Sequence, residues 1–107
     1  MRLIGEHQNE IIALCDKHNV NELYVFGSVL TDTFTRDSDI DLLVKFGDVD
    51  LFEYFDNYMD FKESLENLLD RTIDLVEMQT LKNPILKRSI NKNKTKIYGR
   101  ADSKVVV

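Results

Sequence analysis

The chain has 107 residues, 43% of them hydrophobic and 31% charged, with a formal net charge of −5 at pH 7. That length suits one domain with a real core and excludes two, and the composition is that of a globular chain rather than a disordered one. No apolar run approaches the roughly 18 residues that span a bilayer. The N-terminus, MRLIGEHQNE, lacks the apolar stretch of a signal peptide. The single cysteine, Cys15, excludes an intrachain disulfide, so a reducing cytoplasm is the expected compartment.

The charge is unevenly distributed. Residues 1–81 carry 6 Lys+Arg against 18 Asp+Glu, a balance of −12, whereas residues 82–107 carry 8 against 1, a balance of +7. An acidic body argues against non-specific nucleic-acid binding, because the phosphate backbone dominates that affinity. The basic C-terminal quarter can face an anionic ligand or partner, or simply present a solvated helix face.

Taken in order, Glu6 to His18 has helical spacing, with Ile11, Leu14, Cys15 and His18 on one stripe. Asn19-Val20-Asn21 breaks it, and Glu22 to Phe26 reads as a short strand ended by Gly27. A helical turn at Val29–Asp32 and a polar loop at Thr33–Ser38 follow. Asp39 to Phe46 alternates and then runs apolar, as a central strand does. Asp50 is placed to cap a helix whose apolar face runs through 51, 54, 55, 58, 61, 65, 68 and 69. Arg71 to Met78 alternates again, with Ile73, Leu75 and Glu77 set apart from Thr72, Asp74 and Val76. A last helix from about Leu81 to Asn91 carries Pro84 in its first turn, where proline is tolerated. Lys94 to Tyr98 is a final strand. Residues 1–100 thus form one α/β (α+β) domain, a small mixed sheet with helices packed against it, and 101–107 a frayed tail.

The chemistry concentrates in GSVLTDTFTRDSDIDL, residues 27–42. Strand alternation points Asp39 and Asp41 to one side, about 6.5 to 7 Å apart, and Ile40 and Leu42 to the other. Asp74 sits the same way in TIDLV. If the two strands are neighbours, three carboxylates converge, and like charges that close raise one another's pKa. Hard divalent cations with oxygen ligands relieve that repulsion. Two of them about 3.5 to 4 Å apart form the usual clamp for attack at phosphorus. Gly27-Ser28 follows a strand directly and opens a turn whose backbone N–H groups and hydroxyl can hold a phosphate. Gly-Ser at this offset from Asp-x-Asp arises by chance in roughly one chain per thousand of this length, so the combination carries information that a lone Asp-x-Asp does not. The bland alternative is an exposed edge-strand charge pair and a plain turn.

GS-x10-DxD with a third strand-borne aspartate resembles the minimal nucleotidyltransferases of the DNA polymerase beta superfamily, over nearly the whole chain from Ile11 to Tyr98. The resemblance implies the polymerase-beta-like nucleotidyltransferase fold, with Gly27 and Ser28 binding the triphosphate of ATP. It implies that Asp39 and Asp41 coordinate two Mg²⁺ ions. Asp74 would coordinate the catalytic one and help activate the attacking hydroxyl. Many stand-alone members resemble MntA-type, type VII-like antitoxins that move AMP from ATP to a tyrosine of a HEPN-family toxin. The implied partners are therefore a nucleoside triphosphate and such a toxin, with no membrane and no nucleic acid. Many of these antitoxins read GS-x-A-R-G, whereas this chain has Thr31 and Asp32 at the arginine and glycine positions. Arg36, Lys87 or Arg88 are candidates to replace the missing cation.

Two other readings stay open: a non-catalytic subunit that neutralises its partner by contact, and an enzyme that nucleotidylates a small molecule. His7 and His18 lack a metal-ligand partner at suitable spacing and read as surface or half-buried helix positions. Cys15 reads as a small core residue. Phe52, Tyr54, Phe55, Tyr58 and Phe61 read either as core or as a partner-binding face.

Overall fold

The computed structural model describes residues 2–26 and 39–99. Gly27, Ser28, Thr31, Asp32 and Arg36, the turn and loop expected over 29–38, and the tail expected over 101–107 lie outside the described residues. Two helices, α1 (Arg2–Glu6) and α2 (Gln8–Lys17), lead into β1 (Val20–Phe26). Then come β2 (Ile40–Phe46), α3 (Leu51–Leu69), β3 (Ile73–Glu77), a 3₁₀ turn over Met78–Thr80, α4 (Pro84–Asn93) and β4 (Thr95–Gly99).

The helix expected over Glu6–His18 is α2, and a short helix outside that expectation, α1, precedes it, the two separated at His7, which leaves helical geometry. Asn19 adopts a left-handed conformation, φ 57°, which ends α2 within one residue. The strand therefore begins at the buried Val20 rather than at Glu22. α3 spans the residues its apolar spacing predicts, and Asp50 caps it by accepting from the Phe52 N–H at 2.9 Å. At its other end Asp70 terminates the helix in a left-handed conformation, φ 53°. Asn83 caps α4 through the Ile85 and Leu86 N–H groups, and Pro84 opens the first turn.

The four strands form one mixed sheet in the order β3-β2-β1-β4. β1 runs antiparallel to both β2 and β4, and β2 runs parallel to β3. The parallel pair needs a crossover of a dozen or more residues, which α3 supplies. Ile40, Leu42 and Val44 of β2, Leu23 and Val25 of β1 and Ile73 and Leu75 of β3 all point into one core. From the helices, Ile11 and Cys15 and then Phe61, Leu65 and Leu69 close it.

The aromatic stripe of α3 divides. Phe61 is fully buried and Tyr54 and Tyr58 pack on the core, but Phe52 and Phe55 are 93% and 70% exposed. His18 is more buried than the surface or half-buried position expected: it is 3% exposed, and both ring nitrogens meet oxygens. Nδ1 lies 2.7 Å from Leu14 O and Nε2 lies 2.6 Å from Asp60 Oδ2. Among the described residues no helix is long and apolar enough to cross a membrane.

Candidate active site

Because Ile40, Leu42 and Val44 enter the core, strand alternation turns Asp41, Leu43 and Lys45 to the opposite face of the sheet. The same rule turns Glu22, Tyr24 and Phe26 of β1 and Asp74 and Val76 of β3 to that face. The register then decides which of these meet. Asp41 is the direct Cα partner of Asp74 across β2 and β3, and Phe26 is the partner of Asp41 across β1 and β2. The neighbouring arrangement that the sequence leaves conditional is the one the chain adopts.

Asp39 immediately precedes β2 and is exposed, Asp41 is half-buried and Asp74 is exposed. Burial pushes the Asp41 carboxyl above its ordinary value, and the charges of Asp74 and then Asp39 push it the same way. Asp74 also lies within side-chain hydrogen-bonding reach of Asp41. Two carboxylates thus face each other, with a third close enough to be felt. Among the described residues no three His, Cys, Asp or Glu side chains are drawn together into a finished metal cluster. The donor set nonetheless suits a hard divalent ion: it is all carboxylate oxygen, and a cation between Asp41 and Asp74 would cancel the repulsion that raises Asp41.

The strand ends that present these groups are fastened from behind. Ile40 N–H donates to Thr72 O at 3.0 Å, extending the ladder to the edge of the site. Ile73 N–H donates to Glu66 Oε2 of α3, also at 3.0 Å, which fixes the residue just before Asp74. The Tyr58 hydroxyl donates to Leu75 O, just after Asp74. Glu66 does not stand out in the sequence as part of a site, since it sits in an ordinary helical pattern, and Tyr58 reads there only as core or as part of a partner-binding face.

The family model described as Polymerase beta, Nucleotidyltransferase matches residues 9–103. The chain belongs to that family. Protein adenylyltransferase MntA of Thermococcus cleftensis is 34% identical over 85 residues, 79% of this chain and 80% of that protein. A Methanocaldococcus jannaschii relative with the provisional name protein adenylyltransferase MJ1379 is 35% identical over 80 residues, 75% of this chain and 79% of its own length. Among solved structures, one provisionally described as a minimal nucleotidyltransferase superposes with a TM-score of 0.73 at 29% identity, covering 89% of this chain and 95% of that one. A crystal structure of a toxin–antitoxin with AMP-PNP superposes with a TM-score of 0.67 at 25% identity, covering 92% and 78%.

The chain is thus a nucleotidyltransferase, and the four-stranded mixed sheet is the fold the sequence resemblance implies. On this nucleotidyltransferase's carboxylate face stands a cation that the sequence pattern does not single out. Lys94 Nζ lies 4.1 Å from the centroid of the Tyr24 ring and 3.0 Å from Asn91 Oδ1. Lys45, farther along β2, is 3.8 Å from Glu22, which also accepts from the Tyr24 hydroxyl. Lys87 and Arg88 are exposed on α4, whose buried residue is Ile90.

Proposed function

We propose that this nucleotidyltransferase transfers AMP from ATP to a tyrosine hydroxyl of a HEPN-type toxin, and so acts as its antitoxin. The observation that carries the chemistry is the Asp41–Asp74 pairing across the parallel β2–β3 ladder, with Asp39 two residues before Asp41. The family and the MntA relative support the nucleotidyl transfer to protein. The toxin–antitoxin neighbour that holds AMP-PNP supports the nucleotide and the partner.

Asp39, Asp41 and Asp74 would hold Mg²⁺, which when bound neutralises the triphosphate and stabilises charge developing at the α-phosphorus. Gly27 and Ser28 would hold the phosphates through backbone N–H groups and the hydroxyl. The tyrosine oxygen attacks the α-phosphorus, the bond to the β-phosphate oxygen breaks, and pyrophosphate leaves. The phenolic proton passes to the Asp74 carboxylate. The protein's share is otherwise positioning, because transfer at phosphorus needs little covalent work from side chains.

A label-transfer assay tests this with the purified chain, Mg²⁺ and host lysate, given ATP labelled at the α- or the γ-phosphate. The expected result is a protein band labelled only from the α-position and absent with Asp39→Asn/Asp41→Asn. A double variant that still neutralises the toxin in cells, as the wild type does, would sink the catalytic account.

A further inference from the structure

We propose that Lys94 is a triphosphate-anchoring residue of the proposed active site, contributing a fixed positive charge to the β- and γ-phosphates of the nucleotide. This rests on the reading of the carboxylate face as the site of nucleotidyl transfer.

The argument begins with the register. Phe26 is the Cα partner of Asp41, and Tyr24 lies two residues back along β1 on the same face, opposite Leu43. One strand spacing and one pleat repeat, together about 8 Å, separate Tyr24 from Asp41 on the sheet, and Lys94 Nζ lies 4.1 Å from the Tyr24 ring. A triphosphate chain held by metal at Asp41 and Asp74 covers a distance of that order, so its outer phosphates would come within reach of the lysine.

Two contacts set the lysine in place. The Tyr24 ring lies under the ammonium at 4.1 Å, and Asn91 Oδ1 accepts from it at 3.0 Å. An ammonium donates three hydrogen bonds, and these contacts leave it able to bind an anion. Its backbone is fixed too, since the Lys94 N–H donates to Ile90 O at the end of α4. Lys45 on the same face differs, because it faces the Glu22 carboxylate at 3.8 Å. A preset cation beside a carboxylate pair answers a specific need. Mg·ATP remains anionic, and the body that binds it, residues 1–81, carries a net charge of −12. A local positive charge on the phosphate side offsets that field.

Calorimetric titration of the full chain with Mg·ATP and with AMP tests the assignment, using Lys94→Met, Lys94→Arg and Lys45→Met. Lys94→Met is expected to weaken Mg·ATP about tenfold, as loss of one charge-assisted contact does, and AMP by less than about twofold. Lys94→Arg, which keeps the charge, should return most of the ATP affinity, and Lys45→Met should leave it near wild type. Equal weakening of ATP and AMP would show that Lys94 only braces the α4–β4 junction. Unchanged ATP affinity in Lys94→Met, or an equal loss in Lys45→Met, would also overturn the assignment. A wild-type chain that binds neither nucleotide would overturn the proposed function itself, and this inference with it.

Discussion

Asp41 and Asp74 stand directly opposite one another in the parallel β2–β3 ladder, and the Asp41 carboxyl is raised by burial and by its neighbours' charge. The pairing costs stability in metal-free protein at neutral pH. A raised folded-state pKa gives a contribution that is complete below the unfolded value and lost as pH rises through the folded value. Asp41→Asn removes the charge and the penalty. In EDTA at pH 7 it should therefore melt higher than wild type, by roughly 2 to 4 °C after allowance for solvent screening. The gap should shrink as pH falls through about 4 and close roughly one to two units lower, where Asp41 is protonated in both states. Added MgCl₂ should raise the melting temperature of the wild type and leave Asp41→Asn nearly unmoved. Calorimetric melts in EDTA and in Mg²⁺ across this pH range check both halves.

Glu66 connects α3 to the same site through Ile73 N–H, and Lys62 Nζ lies 3.6 Å from the same Glu66 oxygen, Oε2. Glu66→Ala leaves that strand-end N–H without its partner, at a cost of about 1 to 2 kcal/mol. Because Ile73 precedes Asp74, the loss should also weaken Mg²⁺ stabilisation. Glu66→Gln, whose amide oxygen can still accept, should retain most of both. Urea melts of the two variants, with and without Mg²⁺, read stability and ion response from the same samples.

The helix α3 was legible from Leu51 to Leu69 because an apolar stripe with an Asp cap admits few other readings. The spacing did not show that Leu51, Phe52 and Phe55 stay exposed while Tyr54 between them packs on Phe46 of β2. Periodicity gives an element's face, whereas burial along that face depends on how far the neighbouring layer extends. Glu77 was legible as a core-side residue of β3 because alternation carries through from Ile73 and Leu75. Pairing was less accessible: Asp41 and Asp74 lie 33 residues apart in the chain, and no local pattern sets the parallel register that joins them. Lys94 was hidden for a similar reason, since its ring partner Tyr24 belongs to a strand 70 residues earlier. His18 was misplaced because its carboxylate partner, Asp60, lies on another helix.

Asp70 closes α3 with φ 53°, a conformation that costs a side-chain-bearing residue more than glycine. Asp70→Gly should relieve that strain while loosening the unfolded chain, for a small net gain of up to about 0.5 kcal/mol. Asp70→Val, β-branched and poorly suited to positive φ, should instead lose about 1 to 2 kcal/mol. The ordering Gly, Asp, Val in guanidinium midpoint checks the prediction, and a valine variant as stable as wild type would refute it.

His18 ties the end of α2 to α3 from inside the protein, with its ring 5.3 Å from Phe61 centroid to centroid. Leu14 O can only accept, so Nδ1 donates to it, and Nε2 meets the Asp60 carboxylate at 2.6 Å. The hydrogen bond from His18 holds the Asp60 carboxyl below the usual carboxylate range. A depressed folded-state pKa gives stability that is present above the unfolded value and lost as pH falls through the folded one. Asp60→Asn should therefore be less stable than wild type at pH 6, with the difference shrinking below about pH 4 as wild-type Asp60 takes up its proton. His18→Ala also leaves a void against Phe61 and should cost about 2 to 4 kcal/mol. Because this pair is built from α2 and α3 and the carboxylates from β2 and β3, Asp60→Asn should leave the Mg²⁺-induced rise in melting temperature intact. Losing that rise would mean that the α2–α3 contact sets the geometry of the carboxylate face.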